Sequence, residues 1–212
     1  CIRDRNRILV SKGMTVVEQK NQENWFSSHV SFQAVKRFYY PLKSTEAVGA
    51  SMDGRSTSLL ELPGDGDLKE VQVKLVDAGF WKVFQFAFVD GKPFSQADFD
   101  SGLRKAVISR TMARQLFGET PPVGRTFVLD SDEYRVCGVV KDVSFITPAT
   151  YADIWLPLTV DSDIIKDNKG GYELVGDLNV YMLAPSVDAK DKVITEVRDV
   201  FRKYNYSQKK YS

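Results

Sequence analysis

The side chains that could do chemistry in this chain are few and scattered. His29 is its only histidine. It stands in Ser27-Ser28-His29-Val30-Ser31, where the serines read as caps of a coming helix. A Ser-His-Asp relay is hard to build around it, and no G-x-S-x-G elbow occurs. Cys137 falls in a strand pattern, where a buried and inert thiol is expected. With Cys1 distant from it, one histidine and two cysteines cannot make the usual zinc shell. Carboxylates lie close together in Gly64-Asp65-Gly66-Asp67, Asp130-Ser131-Asp132 and Asp161-Ser162-Asp163. A calcium loop begun at Asp161 fails, because Ile165 and Lys166 stand where an oxygen ligand and a glycine are needed. All three clusters read as solvated turns. Asp98, Asp100 and Glu119 have the residue types of a glycosidase pair, but their polar, turn-like surroundings give no cause for a raised pKa. Neither phosphate-binding glycine pattern is present. The expectation is a chain that is not an enzyme, with no catalytic, cofactor-binding or metal-binding residue.

Composition narrows the classes further. The chain has 212 residues, 43% hydrophobic and 12% aromatic, enough for one large domain or two small lobes with a real core. Lys and Arg number 29 against 28 Asp and Glu, so no global charge draws it to nucleic acid or to an anionic membrane. No apolar run reaches the roughly 18 residues of a spanning helix. The chain opens at Cys1-Ile2-Arg3-Asp4, without a signal peptide or initiating Met, as an excised or processed segment would. Cys1 is then either a truncation point after a membrane helix or the lipid-bearing first residue of a processed lipoprotein.

The elements that position these residues follow from periodicity. Residues 6–18 read as extended, and a polar, Asn/Gln-rich stretch follows. A helix is expected from Ser28 or Ser31, with Phe32, Val35, Tyr39 and Leu42 on one face, ending at Pro41. Short strands are expected at 46–52 and 58–62, with a turn at Asp53-Gly54. Val71, Val73 and Leu75 alternate as one strand. Phe80 to Phe86 is ambiguous between helix and strand. Phe80, Trp81, Phe84, Phe86 and Phe88 should mostly be core; any exposed member would suit a partner contact, with Phe80, Trp81 and Phe84 the candidates. Ala106-Val107-Ile108 reads as a buried strand. Ser109 caps a helix whose apolar face is Met112, Ala113, Leu116 and Phe117, and Gly118 closes it. Two strands joined at Ser131-Asp132 come next, then a strand near 154–158. Residues 161–171 read as a polar loop ending in Lys169-Gly170-Gly171. A strand at 177–183 precedes a last helix from Pro185-Ser186, striped by Val193, Val197, Val200 and Tyr204 with Ile194 and Phe201 beside it. Arg202 and Lys203 suit its C-terminal dipole, and Lys209-Lys210 is too short for a nucleic-acid patch.

Between Val76 and Val143 the order of pieces resembles the periplasmic core domain of MacB-type ABC transporter permeases, the class with FtsX-like and LolC/E-like members. The pieces are Val76-Asp77, Phe80-Trp81, Gly91-Lys92-Pro93-Phe94, Asp98, Ala106 to Ser109, Ala113 to Gly118, Pro122 to Arg125 and Val136 to Asp142. Trp155-Leu156-Pro157-Leu158 resembles a later strand of the family. Lys92, where the family often has Arg, and the extra proline in Pro121-Pro122 depart from it.

The resemblance implies an α+β fold. A porter-like α/β lobe would form from both chain ends, residues 1–57 and 172–212, with a mainly β, sabre-like lobe holding a short helix inserted as 58–171. It implies one extracytoplasmic domain on the periplasmic side of the cell inner membrane. Its partners would be the membrane helices of its own permease, a cytoplasmic ABC ATPase that alone uses ATP, and a periplasmic adaptor or lipoprotein. The full permease would be a homodimer, and nucleic acid is not expected. The function implied is non-catalytic coupling of ATP-driven membrane motion to substrate export or extraction, or to a periplasmic partner. The other class is a stand-alone, lipid-anchored ligand-binding or sensor domain.

Overall fold

Apolar runs bounded by turn residues become short strands, and the 3.6-residue patterns become helices. The structure, a computed structural model, describes residues 7–10, 13–19, 22–52, 58–64, 67–166 and 174–211, with side chains treated between 29 and 205. Its elements begin with β1 (Arg7–Val10), β2 (Gly13–Gln19), β3 (Gln22–Val30), α1 (Phe32–Ala34) with a π-helical turn (Val35–Tyr39), and β4 (Ala47–Met52). Next come β5 (Ser58–Glu61), β6 (Leu68–Val71), β7 (Val73–Val76), α2 (Phe80–Val83), β8 (Phe88–Gly91), α3 (Gln96–Asp100), β9 (Lys105–Ser109) and α4 (Arg110–Phe117). The chain continues as β10 (Thr126–Leu129), β11 (Asp132–Val140), β12 (Ile154–Pro157), a 3-10 turn (Leu158–Val160), α5 (Ser162–Lys166), β13 (Val175–Gly176), β14 (Leu178–Leu183) and α6 (Lys190–Tyr211). The fold is α+β.

Two compact units divide the chain: Cys1–Ala50 with Asp163–Ser212, and Ser51–Ser162. In the first, strands run in the order β13-β3-β14-β4, with β1 on β14 and β2 on β3. Pairing of β1 with β14 is antiparallel, Arg7 opposite Leu183 through Val10 opposite Val180. Ser31 caps α1 by accepting from the Ala34 N–H at 3.0 Å. Phe32, Val35, Tyr39 and Leu42 are buried, as the stripe requires. The widened turn, in which Tyr40 N–H reaches Val35 O at 3.0 Å, presents the consecutive rings of Phe38 and Tyr39 to one neighbour, Phe201 of α6. Gln33 Nε2 donates to Ile165 O at 3.2 Å and so ties α5 into this unit.

In the second unit the order is β7-β12-β9-β11-β10-β5-β6, with β8 on β11 and the end of β4 on β7. The pairs β12–β7 and β9–β11 are parallel; for β9–β11 the crossover includes α4, which returns the chain between β9 and the β10–β11 hairpin. All four residues of β7 and of β12 are buried; β12 is a continuous apolar run, while in β7 the buried Lys74 donates from Nζ to Pro148 O at 3.1 Å. Ser109 caps α4 by accepting from Met112 N–H at 3.1 Å. Met112, Ala113 and Leu116 face inward, and Gly118 closes the helix at φ +59°.

Several expectations are corrected. The polar stretch after residue 18 is the long strand β3, whose partner β2 supplies the ladder that its side chains do not advertise. Val71 and Val73 lie in two strands, broken at Gln72, whose N–H turns to Asp153 Oδ2 at 2.9 Å. The hairpin turn sits at Asp130-Ser131, both at positive φ, one residue before the expected place. Part of the expected 161–171 loop is α5. The last helix starts at Lys190, because Ser186 Oγ instead accepts from Ala189 N–H at 3.2 Å and closes a turn. Asp53-Gly54, Asp65-Gly66 and Lys169-Gly170-Gly171 lie outside the described residues, as does Cys1.

Gly91 and Gly138 face each other across β8 and β11. Gly91 holds φ +62°, and a Cβ there would run into the Cys137 carbonyl and stand 2.9 Å from Val123 Cγ2. A Cβ on Gly138 would stand 2.6 Å from the Lys92 carbonyl. Gly91→Ala should therefore cost about 1–3 kcal/mol. Urea unfolding measures it, and an unchanged midpoint would mean that the two strands are further apart than described.

Candidate functional site

The residues that chemistry could have used are placed for structure. His29 is half-buried at the end of β3, opposite Gly176. Asp130 accepts from Leu59 N–H of β5 at 2.8 Å, and Asp132 pairs with Arg104 just before β9, so this cluster ties the hairpin turn to its neighbours. Asp100 accepts from Gln96 Nε2 at 2.8 Å, and Glu119 is exposed beyond α4. Asp161 precedes α5, and Asp163 lies in its first turn. Among the described residues no three His, Cys, Asp or Glu side chains are grouped to hold a metal ion.

Phe80, Trp81 and Phe84, the candidate partner contacts, are buried to within 7% of full exclusion. They form a ring cluster with Phe86, Phe94 and Trp155, at centroid distances of 4.8 Å for Phe80–Phe84 and 5.5 Å for both Trp81–Phe94 and Phe86–Trp155. Asp77 starts this cluster's helix by accepting from Phe80 N–H at 2.7 Å. In this structure they pack against one another.

Two polar arrangements were missed by sequence reasoning. In the first, Ser95 and Asp98 form a capping box at the start of α3, and Asp98 Oδ1 accepts from Lys105 Nζ at 2.6 Å. That hydrogen bond from Lys105, with the Ser95 backbone, pulls the Asp98 carboxyl down to about 2. The S-x-x-D spacing before Phe99 was the signal that could have found it. Next to it, burial pushes the Cys137 thiol up to about 12, so no thiolate is available.

The second arrangement holds α6. Glu196 takes three hydrogen bonds from the segment before β4: Lys43 N–H at 3.0 Å, Ser44 N–H at 2.9 Å, and the Ser44 hydroxyl. Further along, Phe201 and Tyr204 each stand 5.1 Å from Phe38, and Arg37 lies 5.2 Å over the Tyr204 ring. Val193 in the first turn is fully buried. The helix is thus fixed by an apolar foot, a carboxylate clamp and an aromatic clasp. A partner 152 residues away leaves no local trace in a sequence, so nothing could have singled out Glu196. Beside the clamp lies an open groove of about 610 Å³. Lys43, Lys192 and Lys203 there balance Asp191, Glu196 and Asp199, which leaves no preference for an ion of either sign.

Comparison with known proteins gives the class. The chain is 25% identical over 91 residues to an uncharacterized ABC transporter permease of Bacillus subtilis (strain 168), YknZ. It is 34% identical over 67 residues to the pyoverdine export ATP-binding/permease protein PvdT of Pseudomonas savastanoi pv. phaseolicola (strain 1448A / Race 6). These matches cover 43% and 31% of this chain but only 23% and 10% of the relatives' lengths. The fold is similar to the extracellular domain of YknZ from Gram-positive bacteria (TM-score 0.58, 21% identity, 84% of this chain and 85% of that one). It is also similar to the periplasmic region of MacB from Actinobacillus actinomycetemcomitans (TM-score 0.59, 13% identity, 82% and 75%). The class is that of domains carried by ABC transporter permeases. With residues 5–200 matched, the chain belongs to the MacB-like periplasmic core domain family.

The Glu196 clamp has a pH signature. Burial raises the Glu196 pKa, but the bonds from Lys43 and Ser44 outweigh it and leave it below the usual carboxylate range. A group with a depressed folded pKa adds stability above its unfolded pKa and loses it as pH falls through the folded one. Glu196→Gln should therefore lower the melting temperature at pH 7 and by progressively less as the pH is brought below about 4. An equal loss at both ends of a pH 3–7 melting series would remove the carboxylate from the clamp.

Proposed function

We propose that this domain is a non-catalytic lever on the outer face of an inner-membrane ABC permease, exposed to the periplasm. It is moved by the permease's own membrane helices, which a separate cytoplasmic ATPase drives with ATP. Its motion would do work on an exported or extracted substrate, or on a periplasmic adaptor or lipoprotein, in a permease that functions as a homodimer. One observation carries this: α6 runs without a break for 22 residues and is fastened to its unit through its first four turns. A helix so held passes a push at its free end to the body as a rigid rotation. No helix of the described residues is long and apolar enough to cross a membrane, so the pushing helices would belong to other segments. Family membership supports the setting.

Two results test it. The parent reading frame should carry an apolar helix before Cys1 and further ones after Ser212. A lipobox before Cys1 with a stop after Ser212 would replace the lever by a lipid-anchored sensor. In the parent transporter, Glu196→Ala with Phe201→Ala should leave ATP hydrolysis within about twofold while cutting transport or partner-dependent work at least about tenfold. Unchanged transport would end the lever account.

A further inference from the structure

The hairpin of β5 and β6 ends the strand order of its unit, and no described residue pairs with the far side of β6. Leu62 N–H donates to Asp67 O at 2.9 Å, which fixes the hydrogen-bonding phase of the hairpin. With the register Leu60 opposite Lys69 and Ser58 opposite Val71, those pairs share the ladder bonds. Leu68 and Glu70 are the alternate residues, so their N–H and C=O groups point away from β5. The same phase seen from the other side is confirmed by Asp130 N–H, which donates to Leu59 O at 3.0 Å. Four backbone groups thus line an open edge.

The two faces of this hairpin differ sharply. Ser58, Leu60 and Val71 are buried on the inner face, where Lys69 Nζ donates to Gln115 Oε1 of α4 at 2.5 Å. On the outer face Leu59 is 43% exposed and Leu68 60%. Leu59 stands opposite Glu70, and Leu68 opposite Glu61, in a checkerboard of leucine and glutamate. Glu61, Asp67 and Glu70 are exposed and have no ion-pair partner among the described residues. Natural edges are often closed by lysine, proline or a bulge. Here Lys69 is turned to the inner face, and the outer face carries only acidic charge beside exposed leucines. Two copies would bring like charges together, so self-pairing is opposed, whereas a cationic strand is drawn in.

We propose that β6 is a docking edge for an extended segment of a partner protein, added as a further strand. The segment's outward-facing residues, two apart, would alternate apolar with Lys or Arg to meet Leu68 and the glutamates. The proposal rests on the edge itself and holds whether or not the domain acts as a lever.

The test uses the 212-residue chain and the blocked peptide Val-Thr-Lys-Thr-Val-Thr-Lys-Thr. Calorimetry should show one-to-one binding, and hydrogen exchange should slow at the Leu68 and Glu70 amides. Leu68→Pro removes an outward N–H and no bond to β5, so it should weaken binding at least about tenfold with the melting temperature kept. Glu61→Gln with Glu70→Gln should weaken it about as much, and a peptide with Glu for Lys should not bind. If Leu68→Pro fails to fold, the wild-type chain with a peptide N-methylated at alternate residues makes the same comparison. No binding, or binding indifferent to both Leu68→Pro and N-methylation, or protection away from Leu68 and Glu70, would overturn the proposal.

Discussion

The first unit closes only because the two ends of the chain meet in it. Strand β1 lies on β14, and α6 returns to the widened turn that follows α1. The second meeting decides the architecture. One carboxylate, Glu196, satisfies two backbone N–H groups that precede β4, and further along the helix Tyr204 packs on Phe38. Lys43 is exposed and Ser44 half-buried, so the clamp adds to the apolar foot and the aromatic clasp in setting where α6 lies. A charge-assisted bond is worth roughly twice a neutral one, which suits the part that the proposed lever gives to α6.

The second unit is built around close approach rather than around a clamp. Gly91 and Gly138 let β8 and β11 come together with no side chain between them. That contact carries the chain from the aromatic cluster to the capping box of Ser95 and Asp98. Two strings of the family resemblance, Gly91-Lys92-Pro93-Phe94 and Val136 to Asp142, are the two sides of this one crossing. Their order in the sequence reflects a single steric requirement. Phe94, fully buried against Trp81, closes it from the core side.

What was legible in the sequence was what is local. Ser31 and Ser109 announced their helices, because a hydroxyl before an apolar stripe has one favoured use. Leu116 and Met112 lie on the inner face that their spacing required. What was hidden is what depends on a distant partner. β3 looks polar because its ladder with β2 supplies what its side chains do not. The clamp at Glu196 joins residues far apart, and the edge at β6 is open because no described residue pairs with its far side. Phe80, Trp81 and Phe84 show why composition alone leaves two readings: an aromatic run suits a hot spot or a core, and here the three are buried.

A domain that passes force must resist local opening along the path of that force. In the proposed lever that path is α6, its clamp and the strands on which the unit is built. Native-state hydrogen exchange over a denaturant series tests this most directly. The account predicts that amides of α6 between Val193 and Tyr204 open together with those of β14, at the same free energy and the same denaturant dependence. Opening of α6 alone, at lower free energy while β14 stays protected, would contradict it.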